Sequence, residues 1–228
     1  MEINDRVVEL GGLAFHYREA GDPAGHAVVL LHALGCGCDD WDDVVSDLAD
    51  RHRMLAFEQR GSHRSARADA YSFELMRDDV RAFADRLGLE RLSLVGHSMG
   101  GSVAYLFAEA WPERLDRLVV EDTPPPWHRA QPIAFGDAPA DLPFDIAMAR
   151  AIVDQLNAPD PAWWESLDRI TTPTLILAGG PDSHVPQDRI AAAAARIPDC
   201  RLITLGGGHH VHRERRDEFV EAVRSFLD

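Results

Sequence analysis

The chain predicts an α/β fold: a mostly parallel, doubly wound sheet of about eight strands, opened by an antiparallel hairpin and interrupted by a short helical lid before the penultimate strand. Three observations predict it. From residue 27 onward, short apolar runs alternate with segments of helical periodicity. Those runs are apolar at every position, as strands buried on both faces must be. The first two runs instead alternate apolar with polar residues and are joined by Gly11-Gly12, the signature of a hairpin.

Taken in order, residues 7–10 and 13–17 form the hairpin, and 27–31 the first buried strand. A helix is expected at about 40–50 and a strand at 53–57. Residues 72–87 place apolar side chains near helical spacing, with Ser72 as the N-cap. Residues 91–95 are a strand that stops abruptly at Gly96, after which a helical pattern begins. Further strands fall at 115–120 and 174–178. A helix through "IAAAAARI", a strand through "RLITL" and a helix through "DEFVEAVRSFL" close the chain. The stretch 123–171 breaks the alternation. It opens on three prolines, holds Trp127, Trp163 and Trp164, and carries one helical pattern near 146–156. Two units follow: a core of 1–122 and 172–228, and a lid or cap of 123–171 placed where ligands bind at strand ends.

Composition narrows the function. A formal charge of −15 disfavours nucleic acid and anionic membrane as partners, since either needs a basic face. Cys36, Cys38 and Cys200 are too few and too oddly spaced for a disulfide framework, and fit reduced thiols. The N-terminal residues lack an apolar signal core, and no window approaches the ~20 apolar residues of a membrane span. A soluble, cytoplasmic protein is the expectation.

The chemistry is concentrated at Gly96-His97-Ser98-Met99-Gly100, a Gly-x-Ser-x-Gly elbow between strand and helix. Such a corner strains the serine backbone and leaves room only for glycine on either side. It also aims helix N-terminal amides at the hydroxyl. A serine hydroxyl needs a base. His209, directly after Gly206–Gly208 and the last strand, is best placed; His210 and His212 read as surface or core residues. The base in turn needs an acid to orient its ring. Asp182, after the penultimate strand, is preferred, with Asp122 as the alternative and Glu121 as a weaker third. The amides of Met99 and of Leu34, in the loop "LLHALG", are the candidate oxyanion donors.

These pieces together resemble the α/β-hydrolase fold superfamily over nearly the whole chain. "LLHALG" is similar to its oxyanion loop and "EQRGSHRS" to its Asp-x-Arg-Gly-x-Gly-x-Ser loop. "GHSMGG" is similar to the elbow, "GGPDSHVP" to the acid turn, and "GHHVHRERRDEF" to the histidine turn. The resemblance implies Ser98 as nucleophile, Asp182 as acid, His209 as base, Leu34 and Met99 as oxyanion donors, and His32 as a brace for the oxyanion loop. It departs at Ala33 and His63, where relatives carry glycine, and at Glu58, where they carry aspartate. His63, Trp127, Trp163 and Trp164 are candidate substrate contacts. The implied activity is hydrolysis of a carboxylic ester or related acyl compound through an acyl-enzyme. The alternatives are thioester, lactone or carbon–carbon substrates, acyl transfer, or ligand binding with little turnover. No cofactor and no metal are expected, and the partner is a small acyl compound. The Cys36-x-Cys38 pair does not complete a zinc site.

Overall fold

In the computed structural model, which describes residues 2–136 and 141–228, eight strands form one sheet. They are β1 (Asn4–Leu10), β2 (Leu13–Ala20), β3 (Ala27–Leu31), β4 (Arg53–Phe57), β5 (Leu92–His97), β6 (Leu115–Glu121), β7 (Thr174–Ala178) and β8 (Cys200–Thr204). Their spatial order is β1-β2-β4-β3-β5-β6-β7-β8. β1 and β2 pair antiparallel, β2 pairs antiparallel with β4, and every pair from β4 to β8 is parallel.

Strand alternation explains why the central runs are wholly apolar. Val29, Leu31, Leu55, Phe57, Leu118, Val120 and Ile176 face one core; Val28, Leu30, Met54, Ala56, Val119, Leu175 and Leu177 face the other. The first core is closed by α2 (Phe73–Arg86), α3 (Met99–Ala110) and α6 (Gln187–Arg196). The second is closed by α1 (Asp42–Leu48), the short α7 (Val211–Glu214) and α8 (Arg216–Leu227). Ser72 caps α2, its side chain accepting from the Leu75 amide. Among the described residues no helix is long and apolar enough to cross a membrane.

The order reverses at β3, which lies between β4 and β5, so the crevice of the doubly wound sheet opens beyond the C-terminal ends of β3 and β5. Between β6 and β7 the chain leaves the sheet and carries α4 (Ile146–Asn157) and the short α5 (Ala162–Glu165). Residues 137–140 of the expected lid lie outside the described residues. The insertion is tied to the loop after β4: the His63 amide donates to the Pro143 carbonyl at 2.6 Å, and the Asp145 amide to the Gly61 carbonyl at 2.7 Å.

Candidate active site

Ser98 sits between β5 and α3 at φ 53° and ψ −115°, a backbone region that side chains rarely enter. Steric fit explains the flanking glycines. A β-carbon on Gly100 would lie 2.3 Å from the Leu31 carbonyl oxygen, and one on Gly96 would lie 2.4 Å from the Gly100 oxygen. The helix therefore starts pressed against β3 with Ser98 thrown outward, half-buried, into a cavity of about 520 Å³.

His209 reaches the same cavity from the loop after β8. Backbone packs on backbone there. The Gly208 amide donates to the Gly179 carbonyl at 3.0 Å, and a β-carbon on Gly179 would meet the Gly208 oxygen at 2.0 Å. The His209 carbonyl accepts from His97 Nε2 at 2.8 Å. The loop is thus fixed on both sides of the ring. No hydrogen bond joins Ser98 to His209 among the described residues, although both line one cavity; such bonds are often long before substrate arrives.

The acid beside His209 is Asp122, which corrects the preference for Asp182. His209 Nδ1 donates to Asp122 Oδ2 at 2.9 Å. Asp122 follows β6 at φ 43°, with no exposed surface. Its carboxylate also accepts from the Gly179 amide at 2.8 Å, Gln187 Nε2 at 3.1 Å and the Ser183 hydroxyl. Burial opposes its ionisation, but the bonds from His209, Ser183, Gly179 and Gln187 outweigh burial and hold it below the usual carboxylate range. Asp182, in contrast, ends a 3-10 turn (Gly180–Asp182) and is exposed to solvent. The physical reason is the division of labour between neighbouring strands. The loop after β7 supplies donors to the carboxylate, and β6 supplies the carboxylate itself. Glu121, one residue earlier, points to the opposite face and takes both its oxygens to His212 Nδ1, at 2.9 and 2.8 Å.

Leu34 and Met99 both line the cavity. The loop bearing Leu34 is braced by buried His32, whose Nδ1 donates to the Ala33 carbonyl at 2.8 Å and whose Nε2 accepts from the Gln59 amide at 3.1 Å. Ala33 is not among the positive-φ residues, so its backbone accommodates a β-carbon. Glu58 organises the following loop, accepting from the Arg64 and Ser65 amides at 2.6 and 3.1 Å.

Of the four candidate substrate contacts, only Trp127 lines the cavity. Trp163 is buried edge-on against Phe73 of α2, with centroids 5.6 Å apart, which fastens the insertion to the core, and Trp164 donates to the Pro126 carbonyl at 2.9 Å, which ties the two ends of the insertion together. His63 is exposed and contributes its amide rather than its ring. Sequence reasoning missed Arg129 and His184, which also line the cavity. The His184 ring lies 4.4 Å from that of His209. Neither residue carried a motif signal beyond lying in the insertion or the acid turn. Much of the remaining wall is apolar, with Phe73, Ile133, Ile152 and Leu156.

Three groupings among the described residues bring ligand atoms within 4.8 Å of one another: His16, Cys38 and Glu58; His97, Glu121 and His212; and Asp40, His97 and His210. The first shows that Cys38 does have histidine and carboxylate neighbours, drawn from distant segments, which cysteine spacing could not reveal. Its sulfur lies 3.3 Å from His16 Nδ1 and 3.4 Å from Glu58 Oε2. Burial, then Glu58, raises the Cys38 thiol pKa. In the second, burial opposes a charge on His212, but Glu121 and Asp40 outweigh it and raise its pKa to about 9. His97 in the same cluster is pushed down to about 4, chiefly by burial. In the third, Asp40 Oδ2, His97 Nδ1 and His210 Nδ1 have no hydrogen-bond partner.

Comparison with known proteins agrees with this architecture. The model of the alpha/beta hydrolase fold matches residues 26–147. An esterase of Escherichia coli K12 is 25% identical, covering 88% of this chain and 92% of its own length. An sn-1-specific diacylglycerol lipase of Mus musculus is 28% identical, covering 91% of this chain and 82% of its own. The solved structure of a thermophilic esterase from Thermogutta terrifontis superposes with a TM-score of 0.81 at 22% identity, covering 98% of each chain.

Proposed function

The chain belongs to the alpha/beta hydrolase fold family, and on that premise we propose that it is a serine hydrolase cleaving a carboxylic ester or related acyl compound through an acyl-enzyme intermediate. One observation carries the reading: strained Ser98 and the His209–Asp122 pair open into a single cavity. Ser98 Oγ attacks the carbonyl carbon. His209 Nε2, left with its lone pair because Nδ1–H is committed to Asp122, accepts the hydroxyl proton. Asp122 stays ionised and steadies the imidazolium. The Met99 and Leu34 amides bind the oxyanion, each contributing about 2.7–4 kcal/mol to the transition state. His209 then protonates the leaving alkoxide, and activates the water that releases the acid and restores Ser98.

A panel of 4-nitrophenyl esters of varied acyl length, run on wild type and Ser98→Ala, tests this. Turnover by wild type that the variant loses supports the reading. Equal turnover by both contradicts it.

A further inference from the structure

Apart from its catalytic end and the side chains of Ser102 and Thr123, the described wall of the cavity is apolar, with one charged exception. Arg129 lies in its wall with its guanidinium 3.8 Å from the centre of the Trp127 ring. One N–H, on Nη1, donates to the Leu156 carbonyl at 2.9 Å. It is half-buried, and no carboxylate of the described residues lies within 4.0 Å of it, whereas the buried Arg60 is paired with Asp79. The one carboxylate that the described residues place in the cavity wall, Asp122, is already taken up by His209, Ser183, Gly179 and Gln187. Burial lowers the Arg129 pKa, and no acidic group among the described residues offsets it. A guanidinium has five N–H donors and does not deprotonate in proteins. Stacking on Trp127 fixes its plane, and its Nε and Nη2 hydrogens have no hydrogen-bond partner among the described residues, which suits a planar, bidentate partner.

From this geometry we infer that the cavity is built for an acyl compound carrying a second, distal carboxylate, with Arg129 binding that carboxylate while the scissile carbonyl lies at Ser98. The inference rests on the serine-hydrolase reading and names its substrate class. A single cation matches a monoanion better than a phosphate monoester, which carries nearly two charges. The cavity of about 520 Å³ suits a small molecule, and its apolar wall suits the methylene chain between the two ends. The formal charge of −15 does not oppose this. Surface charge is screened over about 10 Å at moderate salt, whereas a desolvated contact is not. The cation also stands close enough to the catalytic end to act on His184, whose ring touches that of His209.

The test compares mono-4-nitrophenyl adipate with 4-nitrophenyl hexanoate, esters of equal acyl length that differ in the distal carboxylate. For wild type the kcat/KM ratio, charged over neutral, is expected to be about tenfold or more. Arg129→Met is expected to bring that ratio to one or below, and Arg129→Lys to retain part of it. A wild-type ratio near one, or a ratio that Arg129→Met leaves in place, overturns the inference. Hexanoate hydrolysis that is lost in Ser98→Ala keeps the serine-hydrolase reading standing in either case. A second readout is independent of turnover: calorimetric titration of Ser98→Ala with monomethyl adipate and with methyl hexanoate. Binding of the charged compound at least tenfold tighter, and loss of that difference in Ser98→Ala/Arg129→Met, support the inference. Equal or absent binding overturns it.

Discussion

His209 and Asp122 meet across 87 residues of sequence, their Nδ1 and Oδ2 atoms 2.9 Å apart, at the place where the loops after β8 and β6 converge. That pairing decides which carboxylate orients the imidazole. Asp122→Asn is expected to lower kcat on a nitrophenyl ester by about 10³–10⁴, because an amide leaves the ring without its anionic partner. Asp182→Asn is expected to stay within about twofold, since that side chain is exposed. Steady-state kinetics on both variants checks this. The reverse ranking would restore Asp182.

The elbow stores strain in the fold. A non-glycine residue at φ 53° costs on the order of 1–3 kcal/mol. Ser98→Gly relieves that strain, against a smaller loss from the freer unfolded chain. A net gain of about 1 kcal/mol by urea denaturation is expected, together with loss of activity. A variant less stable than wild type would mean that the backbone is not strained there.

Gly100 is the opposite case. An added β-carbon would strike the Leu31 carbonyl at 2.3 Å, so α3 and β3 must separate. Gly100→Ala is expected to destabilise by about 2–3 kcal/mol and to cut activity with it. Thermal unfolding and ester hydrolysis measured side by side check both effects.

The buried His212 gives a pH signature. Its folded pKa, about 9, lies above its ordinary value of 6.5. The stabilisation is therefore fully present below about pH 6.5 and is lost as pH rises through 9. The change is on the order of 2–3 kcal/mol. The stability gap between wild type and His212→Gln should narrow by that amount between pH 6 and pH 9.5, as read by urea titrations. A gap that does not change with pH would show that His212 is neutral in the fold.

Much of this was legible in sequence because strand burial and elbow sterics leave strong marks. Runs such as 27–31 are apolar at every position since both faces are covered, and the glycines around Ser98 answer contacts that any larger residue would break. The place of His209 after the last strand is legible in sequence, and the structure puts its ring on the cavity that Ser98 lines. Asp122 lost to Asp182 because both end apolar strands, and sequence spacing says nothing of which turn is buried. What separates the two is three-dimensional: the His209–Asp122 bond, and donors to Asp122 drawn from Gly179, Ser183 and Gln187. The tryptophans of the insertion mark apolar contact without telling cavity wall from packing, and only Trp127 lines the cavity. Arg129 is silent in sequence because its meaning lies in facing the cavity with no carboxylate beside it among the described residues, which only an assembled cavity reveals.

The account rests most directly on the reactivity of Ser98 under the control of His209 and Asp122. Intact-mass measurement after treatment with a fluorophosphonate probe reads it in one experiment. A single adduct on Ser98 is predicted, formed at least about 10²-fold more slowly in Asp122→Asn. No adduct on wild type, or an adduct formed equally fast in Asp122→Asn, would contradict it.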